Sequence, residues 1–269
     1  MEFTESLIRN RRSVRTFDAR PLEQEHLDKL TDYLTNIPNP YGLPIEFRLL
    51  NTHDRKLSCP VAVGAELFVG GKMKASPDCC VAFGYSFEKL VLFAQSLGIG
   101  TVWVGGTMDR GAFERAMELS DGEVMPAVTP LGYPAGKMSL RETVMRKGIR
   151  AEERLPFDSV FFHGDFSTPM TQETAGALAF PLEMVRLGPS AVNKQPWRVL
   201  VRDNTAHFFL KRTRGFTGGV LDMQKLDMGI ALCHFATAAE AMNMPLTFLR
   251  SDPLENIPDG LEYIASYRW

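Results

Sequence analysis

The sequence lacks the signatures of several large functional classes. It contains no Gly-x-Ser-x-Gly elbow, no P-loop and no Gly-x-Gly-x-x-Gly fingerprint, so it has none of the local motifs of α/β-hydrolases, P-loop NTPases or a dedicated dinucleotide domain. Its five histidines and four cysteines have no metal-ligand spacing, and we expect no metal centre. The cysteines at positions 59, 79, 80 and 233 form no CxxC pair, which favours buried thiols in a reducing compartment.

Neither a membrane nor a nucleic acid is an expected partner. No stretch reaches the roughly 18 consecutive apolar residues of a membrane-spanning helix. The acidic start of the chain, residues 1–6, lacks the apolar core of an export signal, and we therefore expect a cytoplasmic protein. Thirty Lys and Arg residues stand against 32 Asp and Glu residues, so no charge excess favours a polyanion. A chain of 269 residues is long enough for one large domain or two small ones.

What the chain does contain is a dense arginine cluster near its start. Residues 11–15 read Arg-Arg-Ser-Val-Arg and bring together the guanidinium groups of Arg11, Arg12 and Arg15 and the hydroxyl of Ser13. Guanidinium groups bind phosphate through paired, charge-assisted hydrogen bonds, so the segment is a candidate phosphate site. The alternative is a solvated surface cluster that closes an amphipathic helix, since cations are favourable at a helix C-terminus.

A second segment, residues 189–197, is a short polar loop bounded by two prolines. It reads Pro-Ser-Ala-Val-Asn-Lys-Gln-Pro-Trp and follows a helical stretch over 182–187, after which Gly188 and Pro189 are ordinary helix stops. The apolar run that follows, 197–201, predicts a strand with Trp197 in the core. Such a loop lets backbone and short side chains approach a planar ligand closely. The alternative is a loop that only terminates the helix.

The chain repeats one pattern of elements, which indicates a tandem duplication. A helix predicted over 86–97 ends at Gly98 and precedes a strand predicted over 101–104. A helix predicted over 228–242 ends at Asn243 and precedes a strand predicted over 246–249. A shift of 145 positions aligns 94–99 with 239–244, and a shift of 150 aligns 47–50 with 197–200. We divide this single unit into a first copy, 1–155, and a second copy, 156–269.

Each copy keeps the motif that the other has lost. The first copy has the arginine cluster, while its counterpart of the proline-bounded loop has changed to the segment 37–44. The second copy has the loop but no arginine in residues 161–166, where a cluster would be expected. The two motifs can meet only between the copies, which predicts one complete site in each chain.

Together these motifs resemble the nitroreductase-like flavoproteins, and among them the branch named for TM nitroreductase. The matching segments are RRSVRTF at 11–17, GIGTVWVGG at 98–106, LGYPA at 131–135, RLPFDSVFF at 154–162, PSAVNKQPWR at 189–198 and LDMGIALCHFATAAEA at 226–241. Members of this family typically form intertwined homodimers with FMN at the subunit interface, and this chain resembles such a dimer fused into one polypeptide. The resemblance implies an α+β fold in which helices surround antiparallel or mixed sheets, with two long buried helices at an internal pseudo-twofold axis.

The resemblance also implies one tightly bound FMN per chain. By this resemblance, Arg11, Ser13 and Arg15 would contact its phosphate and ribityl chain, with Arg12 beside them, and Arg154 would return to the phosphate. Weaker candidates for the phosphate are Lys72, Lys74 and Arg150. The charged stretch 147–154 is otherwise typical of a solvated linker.

The flavin ring would lie along the second motif. The residues that the resemblance places there are Pro189, Ser190, Ala191, Asn193 and Gln195, with Ser190 and Asn193 at the pyrimidine edge. From the first copy, the backbone N–H of Gly105, followed by Gly106, would face flavin N5. We interpret His234, on the buried face of the helix predicted over 228–242, as a core histidine.

The implied activity is that of an FMN-dependent oxidoreductase. By the resemblance, NAD(P)H would give a hydride to flavin N5 in a ping-pong cycle, and a small electron-poor acceptor such as a nitroaromatic or a quinone would then take it. The cofactor carries the chemistry, so no catalytic side chain is expected. Two alternatives stay open: a flavin-fragmenting or reductively dehalogenating enzyme on the same fold, and a flavin-binding protein without catalysis. We expect a pseudo-dimeric monomer and leave a higher oligomer open.

Overall fold

Two β-sheets, one from each half of the chain, pack against a central pair of long buried helices. The computed structural model describes residues 5–216, 219, 221–250 and 257–269. The elements of the first half are α1 (Glu5–Asn10), α2 (Gln24–Leu34), β1 (Glu46–Asn51), α3 (Thr52–Arg55), β2 (Leu67–Lys74), α4 (Cys79–Ser96), α5 (Arg110–Ala116), β3 (Glu123–Val124), β4 (Val128–Leu131) and α6 (Leu140–Gly148). Those of the second half are β5 (Phe161–His163), α7 (Gln172–Ala175), α8 (Ala179–Leu187), β6 (Trp197–Arg202), β7 (Thr205–Lys211), α9 (Met223–Ala241), β8 (Thr247–Leu249) and β9 (Leu261–Arg268).

The two sheets have different strand orders. In the first sheet, β2 pairs antiparallel with β1, β3 and β4. The second sheet has the order β5-β6-β7-β9-β8, in which β5 and β6 are parallel and the other pairs are antiparallel. In both halves a β-hairpin, β1–β2 or β6–β7, leads into the long helix, α4 or α9. The predicted α+β class, with helices around antiparallel and mixed sheets, is confirmed.

The helices α4 and α9 cross in direct backbone contact because glycines face each other at the crossing. A Cβ atom on Gly84 would overlap the carbonyl oxygen of Leu226, and a Cβ atom on Gly229 would overlap the carbonyl oxygen of Val81. The missing Cβ atoms let the two backbones approach closely. The cores of the halves interlock as a result, since Leu226 packs with the first half while Leu92 of α4 packs with the second.

The two predicted long helices are confirmed, but both begin earlier than predicted. α4 begins at Cys79 instead of residue 86, and α9 begins at Met223 instead of residue 228. The start of α4 is apolar on all sides, so no stripe marks it, and polar residues interrupt the stripe at the start of α9. The carboxylate of Asp222 caps the first N–H groups of α9. The predicted ends are correct, because Gly98 and Asn243 take left-handed φ values of 72° and 55° after the two helices.

One further predicted strand is wrong, while another strand and a helix differ from the prediction at one end only. The strand predicted over 246–249 is β8, and the helix predicted over 182–187 begins earlier, as α8. The segment 101–104 is not a regular strand. It makes single bridges, Ser13 to Thr101 and Val104 to Val128. Between these bridges the N–H of Val102 bonds to the side chain of Thr129, so no continuous ladder forms.

Within the described ranges, no helix combines the length and the apolarity needed to cross a bilayer. The same part of the chain holds no group of three or more His, Cys, Asp or Glu side chains that could bind a metal. Cys79, Cys80 and Cys233 are buried and form no disulfide, as predicted. The prediction is wrong for Cys59, which is half-buried because it lies in a surface loop after α3.

Candidate functional site

A cavity of about 520 Å³ lies between the two halves and is lined by both sequence motifs. Its volume is within the range of small-molecule sites, about 300–1,000 Å³. The second half contributes the loop residues 189–193 and one face of α9. Six arginines line the cavity, namely Arg9, Arg11, Arg12, Arg15, Arg146 and Arg154.

The arginine segment runs along the cavity as extended backbone after α1. The N–H of Val14 donates to the carbonyl oxygen of Thr101 over 2.8 Å, which holds the segment against residues 101–104. Arg11, Ser13 and Arg15 all line the cavity, as does the exposed Arg12, while Val14 is buried in the core. The three residues predicted to bind phosphate therefore lie together on the cavity wall.

Arg11 and Arg15 carry buried guanidinium nitrogens that lack a hydrogen-bond partner among the described residues. These atoms are Nε of Arg11 and Nη1 of Arg15. Burial lowers the pKa of both side chains, and the neighbouring cation of Arg146 lowers both further, against the opposing charges of Glu88 on Arg11 and Glu142 on Arg15. Buried donors are normally paired, and crowded cations favour an anion.

Arg154 connects the cavity with the junction between the two copies. Its guanidinium group donates to the carbonyl oxygen of Leu187 over 3.3 Å and to Oδ1 of Asn193 over 3.4 Å. Its Nε is buried and has no partner in the part of the chain that the structure describes. Burial, and next the charge of Arg11, lowers the pKa of Arg154 to about 10. Arg154 therefore belongs to the same crowded cationic group as Arg11.

The proline-bounded loop has an uncommon backbone conformation. Val192, Asn193 and Gln195 have left-handed φ values of 50°, 55° and 48°. Each such residue costs about 1–3 kcal/mol, and a β-branched residue such as Val192 is a rare occupant of this region. Strain of this kind clusters at ligand sites, where the surrounding structure maintains it.

The first residues of the loop face the cavity. Pro189, Ser190 and Ala191 all line it. The hydroxyl oxygen of Ser190 accepts a hydrogen bond from the N–H of Gln195 over 2.8 Å, which closes the loop. A hydroxyl that accepts one bond still has its own hydrogen to donate, so Ser190 can donate to a ligand.

Asn193 and Gln195 hold the loop to the copy junction. The amide of Asn193 lines the cavity but donates to the carbonyl oxygens of Arg150 and Glu153, over 2.6 Å and 3.0 Å. Gln195 is buried behind the loop, outside the cavity lining, and its Oε1 accepts from the N–H of Leu155 over 2.9 Å. For both residues a direct ligand contact stays a prediction.

The floor of the cavity is one face of α9. Met223, Leu226 and Ile230 recur there at helical spacing, and Asp227 is the polar exception among them. From the first half, Trp103 adds an aromatic wall, and its Nε1 donates to Oε2 of the buried Glu88 over 2.8 Å. An apolar floor with an aromatic wall suits a planar ring system.

The remaining predicted residues lie away from the cavity lining. Gly105 and Gly106 follow the lining residue Trp103, and the carbonyl oxygen of Gly105 accepts a hydrogen bond from Arg110. The N–H contact predicted for Gly105 stays a prediction. Lys72 and Lys74 are on β2 and donate to the carbonyl oxygens of residues 118 and 121, over 3.0 Å and 2.9 Å.

The weaker candidates for a phosphate contact are therefore not placed for one. Lys72 forms ion pairs with Glu46 of β1 and Glu123 of β3, and neither lysine lines the cavity. Arg150 is exposed and pairs with Glu153. Its position agrees with the alternative interpretation, in which this part of the stretch 147–154 is a solvated linker.

Sequence reasoning missed several lining residues, among them Arg9, Arg146 and Asp227. Arg9 comes from α1, directly before the predicted cluster, and could have been included by extending it. Arg146 on α6 donates to the carbonyl oxygen of Ser13 over 3.5 Å, a contact across more than a hundred positions that no local pattern indicates. Asp227 was visible as a lone acid in the apolar run of a predicted buried helix, which is an uncommon position for a charge.

A second cavity, of about 610 Å³, is lined by residues that the predicted repeat pairs with lining residues of the first. Shifts of 150 and 145 positions pair lining residues of the two cavities, Pro40 with Ser190, Tyr85 with Ile230 and Phe248 with Trp103. Its described lining residues include one lysine and no arginine. The two cavities thus differ in charge, and the first is the strongly cationic one.

The chain is similar to known proteins over nearly its whole length. The model of a protein family described as "Putative TM nitroreductase" matches residues 4–239. A solved structure from Thermotoga maritima MSB8, described as a putative nitroreductase, is 19% identical, covers 98% of this chain and 92% of its own, and has a TM-score of 0.62. That likeness shows a common fold along nearly the whole chain.

Two further solved structures match half of the chain. A nitroreductase family protein from Clostridium novyi NT is 20% identical over 51% of this chain and 87% of its own, with a TM-score of 0.43. An FMN-dependent nitroreductase from Clostridium difficile R20291 is 17% identical over 52% of this chain and 94% of its own, with a TM-score of 0.42. No curated protein matches the sequence.

Proposed function

Because this chain belongs to the family described as "Putative TM nitroreductase", we propose that it is an FMN-dependent oxidoreductase that transfers electrons from NAD(P)H to a small acceptor. The acceptor class we propose is electron-poor, such as a nitroaromatic or a quinone. The proposed reaction is a ping-pong cycle, in which NAD(P)H leaves before the acceptor enters the same cavity. This order agrees with the lack of a dinucleotide-binding fingerprint in the sequence.

One observation carries the proposal: the cavity wall holds three buried guanidinium nitrogens without a partner among the described residues. They belong to Arg11, Arg15 and Arg154. A phosphate group is a dianionic acceptor with oxygens enough for all three. It would offset the burial, and next the repulsion between neighbouring cations, that lower the pKa of these side chains. The residues present therefore fit the phosphate of FMN, and the hydroxyl of Ser13 lies on the same wall.

The rest of the cavity fits the ring system of the same cofactor. The apolar face of α9, with Met223, Leu226 and Ile230, offers a flat floor, and Trp103 offers a wall. The strained loop brings the hydroxyl of Ser190 and the backbone of Pro189 and Ala191 to the same space. We propose that the ring lies on α9 with its polar edge toward this loop.

FMN, when bound, supplies the hydride chemistry that this proposal requires. The chain itself neutralises the phosphate through its arginines, orients the ring between α9 and the loop, and excludes water from the apolar floor. These tasks need no side chain that breaks or forms a bond. The proposal therefore keeps the expectation that no nucleophile of the chain takes part.

We further propose that each chain binds one FMN and works as a pseudo-dimeric monomer of two copies, 1–155 and 156–269. The support is the asymmetry of the two related cavities, since the second has no arginine among its described lining residues. Without a guanidinium cluster, it offers little to bind a phosphate dianion. Each sheet is built from one half of the chain, while the interlocked helices α4 and α9 join the halves.

The test is an anaerobic titration of the protein after reconstitution with FMN. We expect bound FMN to give a visible absorption band that bleaches on addition of NADH or NADPH and recovers on addition of a quinone or a nitroaromatic. Protein that holds FMN but is not bleached by either nucleotide would support a flavin-binding protein without catalysis and contradict the proposed activity. Failure to bind FMN at all would contradict the proposal from its first step.

A further inference from the structure

Asp227 is a buried acid on the floor of the cationic cavity. It lies in α9 and shares a helical face with Met223 and Ile230, and its side chain is 3% exposed. The predicted repeat, with its shift of 145 positions, pairs it with Ala82, so the acid occurs in the second copy while the arginine cluster occurs in the first. The arginines and the acid, each present in only one copy, line the same cavity.

The two carboxyl oxygens of Asp227 have different surroundings. Oδ1 accepts a hydrogen bond from the N–H of Ala191, in the strained loop, over 2.9 Å. Oδ2 is buried and, across the described ranges, has no hydrogen-bond partner. A buried polar atom without a partner costs about 1–3 kcal/mol, so its place on a cavity floor indicates a ligand atom as its partner.

The protonation state of this carboxyl follows from its surroundings. Burial raises the pKa of Asp227 well above its ordinary value, the nearby carboxylate of Asp222 raises it further, and the N–H of Ala191 opposes both. The other charged groups on the cavity lining are Arg9, Arg11, Arg12, Arg15, Arg146, Glu152 and Arg154. None of these arginines donates to Asp227 in the described structure. With Oδ1 occupied as an acceptor, a proton on the carboxyl belongs on Oδ2.

We propose that Asp227 contacts the bound ring directly, holding a proton on Oδ2 and donating it in a hydrogen bond to an acceptor atom on the polar edge of the flavin. The inference rests on the proposed function, because it needs FMN in the cavity. It adds a neutral acid to a site for which the sequence predicted no acidic side chain. It also explains why Ala191 lies where it does, since its N–H fixes the acid in the donating orientation.

The hydrogen bond has a consequence for the bound ring. Negative charge grows on the polar edge of the ring when the ring is reduced, so a donor there stabilises the reduced form more than the oxidised form. A neutral amide can replace a protonated carboxyl in this role, because the amide nitrogen donates while its oxygen still accepts from Ala191. An amide cannot replace an ionised carboxylate in the same way, because it does not carry the negative charge.

The experiment compares Asp227→Asn, Asp227→Ala and Asp227→Leu with the parent chain by fluorescence titration with FMN and by redox titration of the bound cofactor. We expect Asp227→Asn to bind within about threefold of the parent and to keep its potential. Asp227→Ala and Asp227→Leu should bind about tenfold more weakly, the effect of one lost hydrogen bond, and their bound FMN should have a lower potential.

Two outcomes would overturn the inference while leaving the proposed function intact. If Asp227→Asn is as weak as Asp227→Ala while the parent binds FMN, the residue acts as a carboxylate and not as a donor. If all three variants bind like the parent and keep its potential, Asp227 does not touch the ring. A parent chain that fails to bind FMN would overturn both the inference and the proposed function.

The FMN-free protein provides a second measurement that does not depend on the ligand. Between the ordinary aspartate pKa of about 3.9 and the raised pKa in the fold, the unfolded chain releases the proton of Asp227 and the folded chain keeps it. This difference lowers the stability of the parent as pH rises above about 4, and Asp227→Asn lacks it. We expect Asp227→Asn to gain thermal stability relative to the parent between about pH 4 and pH 7, and no gain would contradict the neutral carboxyl.

Discussion

Nε2 of His234 lies 2.9 Å from Oε1 of Glu88, and both side chains are fully buried where α9 packs against α4. Nδ1 of His234 lies 2.8 Å from the carbonyl oxygen of Met184, so the hydrogen between these atoms must be on the imidazole. Oε2 of Glu88 accepts from the indole of Trp103. One continuous hydrogen-bonded chain thus runs from α8 through both central helices to the aromatic wall of the cavity.

We predict a large loss of folding stability when this series of hydrogen bonds is interrupted. His234→Ala should destabilise the fold by about 3–5 kcal/mol, because it leaves Glu88 buried without its partner. Urea unfolding measures the difference, with His163→Ala as the matched control, since His163 is an exposed histidine whose loss should change stability by less than about 0.5 kcal/mol. Equal effects of the two substitutions would show that the buried pair adds nothing.

The crossing of α4 and α9 makes a second prediction about stability. Gly229→Ala would force a Cβ atom into the carbonyl oxygen of Val81, and we expect a loss of about 3 kcal/mol or more, or failure to fold. Gly148→Ala is the control, because Gly148 lies at the end of α6 with no atom within 4 Å of the added Cβ. The control should change stability by no more than about 1 kcal/mol, on the stabilising side. A tolerated Gly229→Ala would mean that the helices can separate without cost.

The cationic wall predicts a selective loss of cofactor. Arg11→Ala and Arg15→Ala should each weaken FMN binding by about 1.5–3 kcal/mol, the contribution of a charge-assisted hydrogen bond. The FMN-free variants should be no less stable than the parent, because each substitution removes one charge from a crowded group. Arg202→Ala is the control, since Arg202 ends β6 on the exposed surface. Parent-like affinity in both variants would leave the arginines as a solvated cluster.

The asymmetry of the two cavities predicts the stoichiometry. FMN released from the purified, reconstituted protein should amount to one equivalent per chain. The double variant Arg11→Ala/Arg15→Ala should then retain none, because the second cavity has no arginine among its described lining residues. Two equivalents per chain, or one equivalent that survives in the double variant, would place FMN in the second cavity.

For the proline-bounded loop we predict an effect on the reduction potential of bound FMN and not on the affinity for FMN. Ser190→Ala should keep FMN bound but lower its two-electron reduction potential by about 10–30 mV, since one neutral hydrogen bond contributes about 0.5–1.5 kcal/mol. Redox titration measures this shift, and Ser167→Ala, in an exposed turn, is the control. Loss of FMN at an unchanged potential would instead place Ser190 at the phosphate.

Much of the fold followed from local patterns in the sequence. The apolar stripes and the left-handed stops at Gly98 and Asn243 located the two central helices and their ends, because these signals act within a few residues. The starts of the same helices were wrong for two reasons. The start of α4 is apolar and buried on all sides, so no stripe stands out, whereas the polar residues Gln224, Lys225 and Asp227 interrupt the stripe at the start of α9. The irregular segment 101–104 was beyond local reasoning too, since its partners come from distant parts of the chain.

For the candidate site, the sequence by itself determined which groups are present: a guanidinium cluster and a constrained polar loop, each recognisable because its residues are adjacent in the chain. Only the tertiary structure decided how they combine. In that structure Arg146 donates to the carbonyl oxygen of Ser13, Asn193 is hydrogen-bonded to the junction between the copies, and Lys72 lies outside the cavity lining. It also placed Asp227 on the cavity floor with one oxygen unpaired among the described residues. The physical reason is that burial and hydrogen-bond pairing depend on contacts between residues far apart in sequence, which no local pattern indicates.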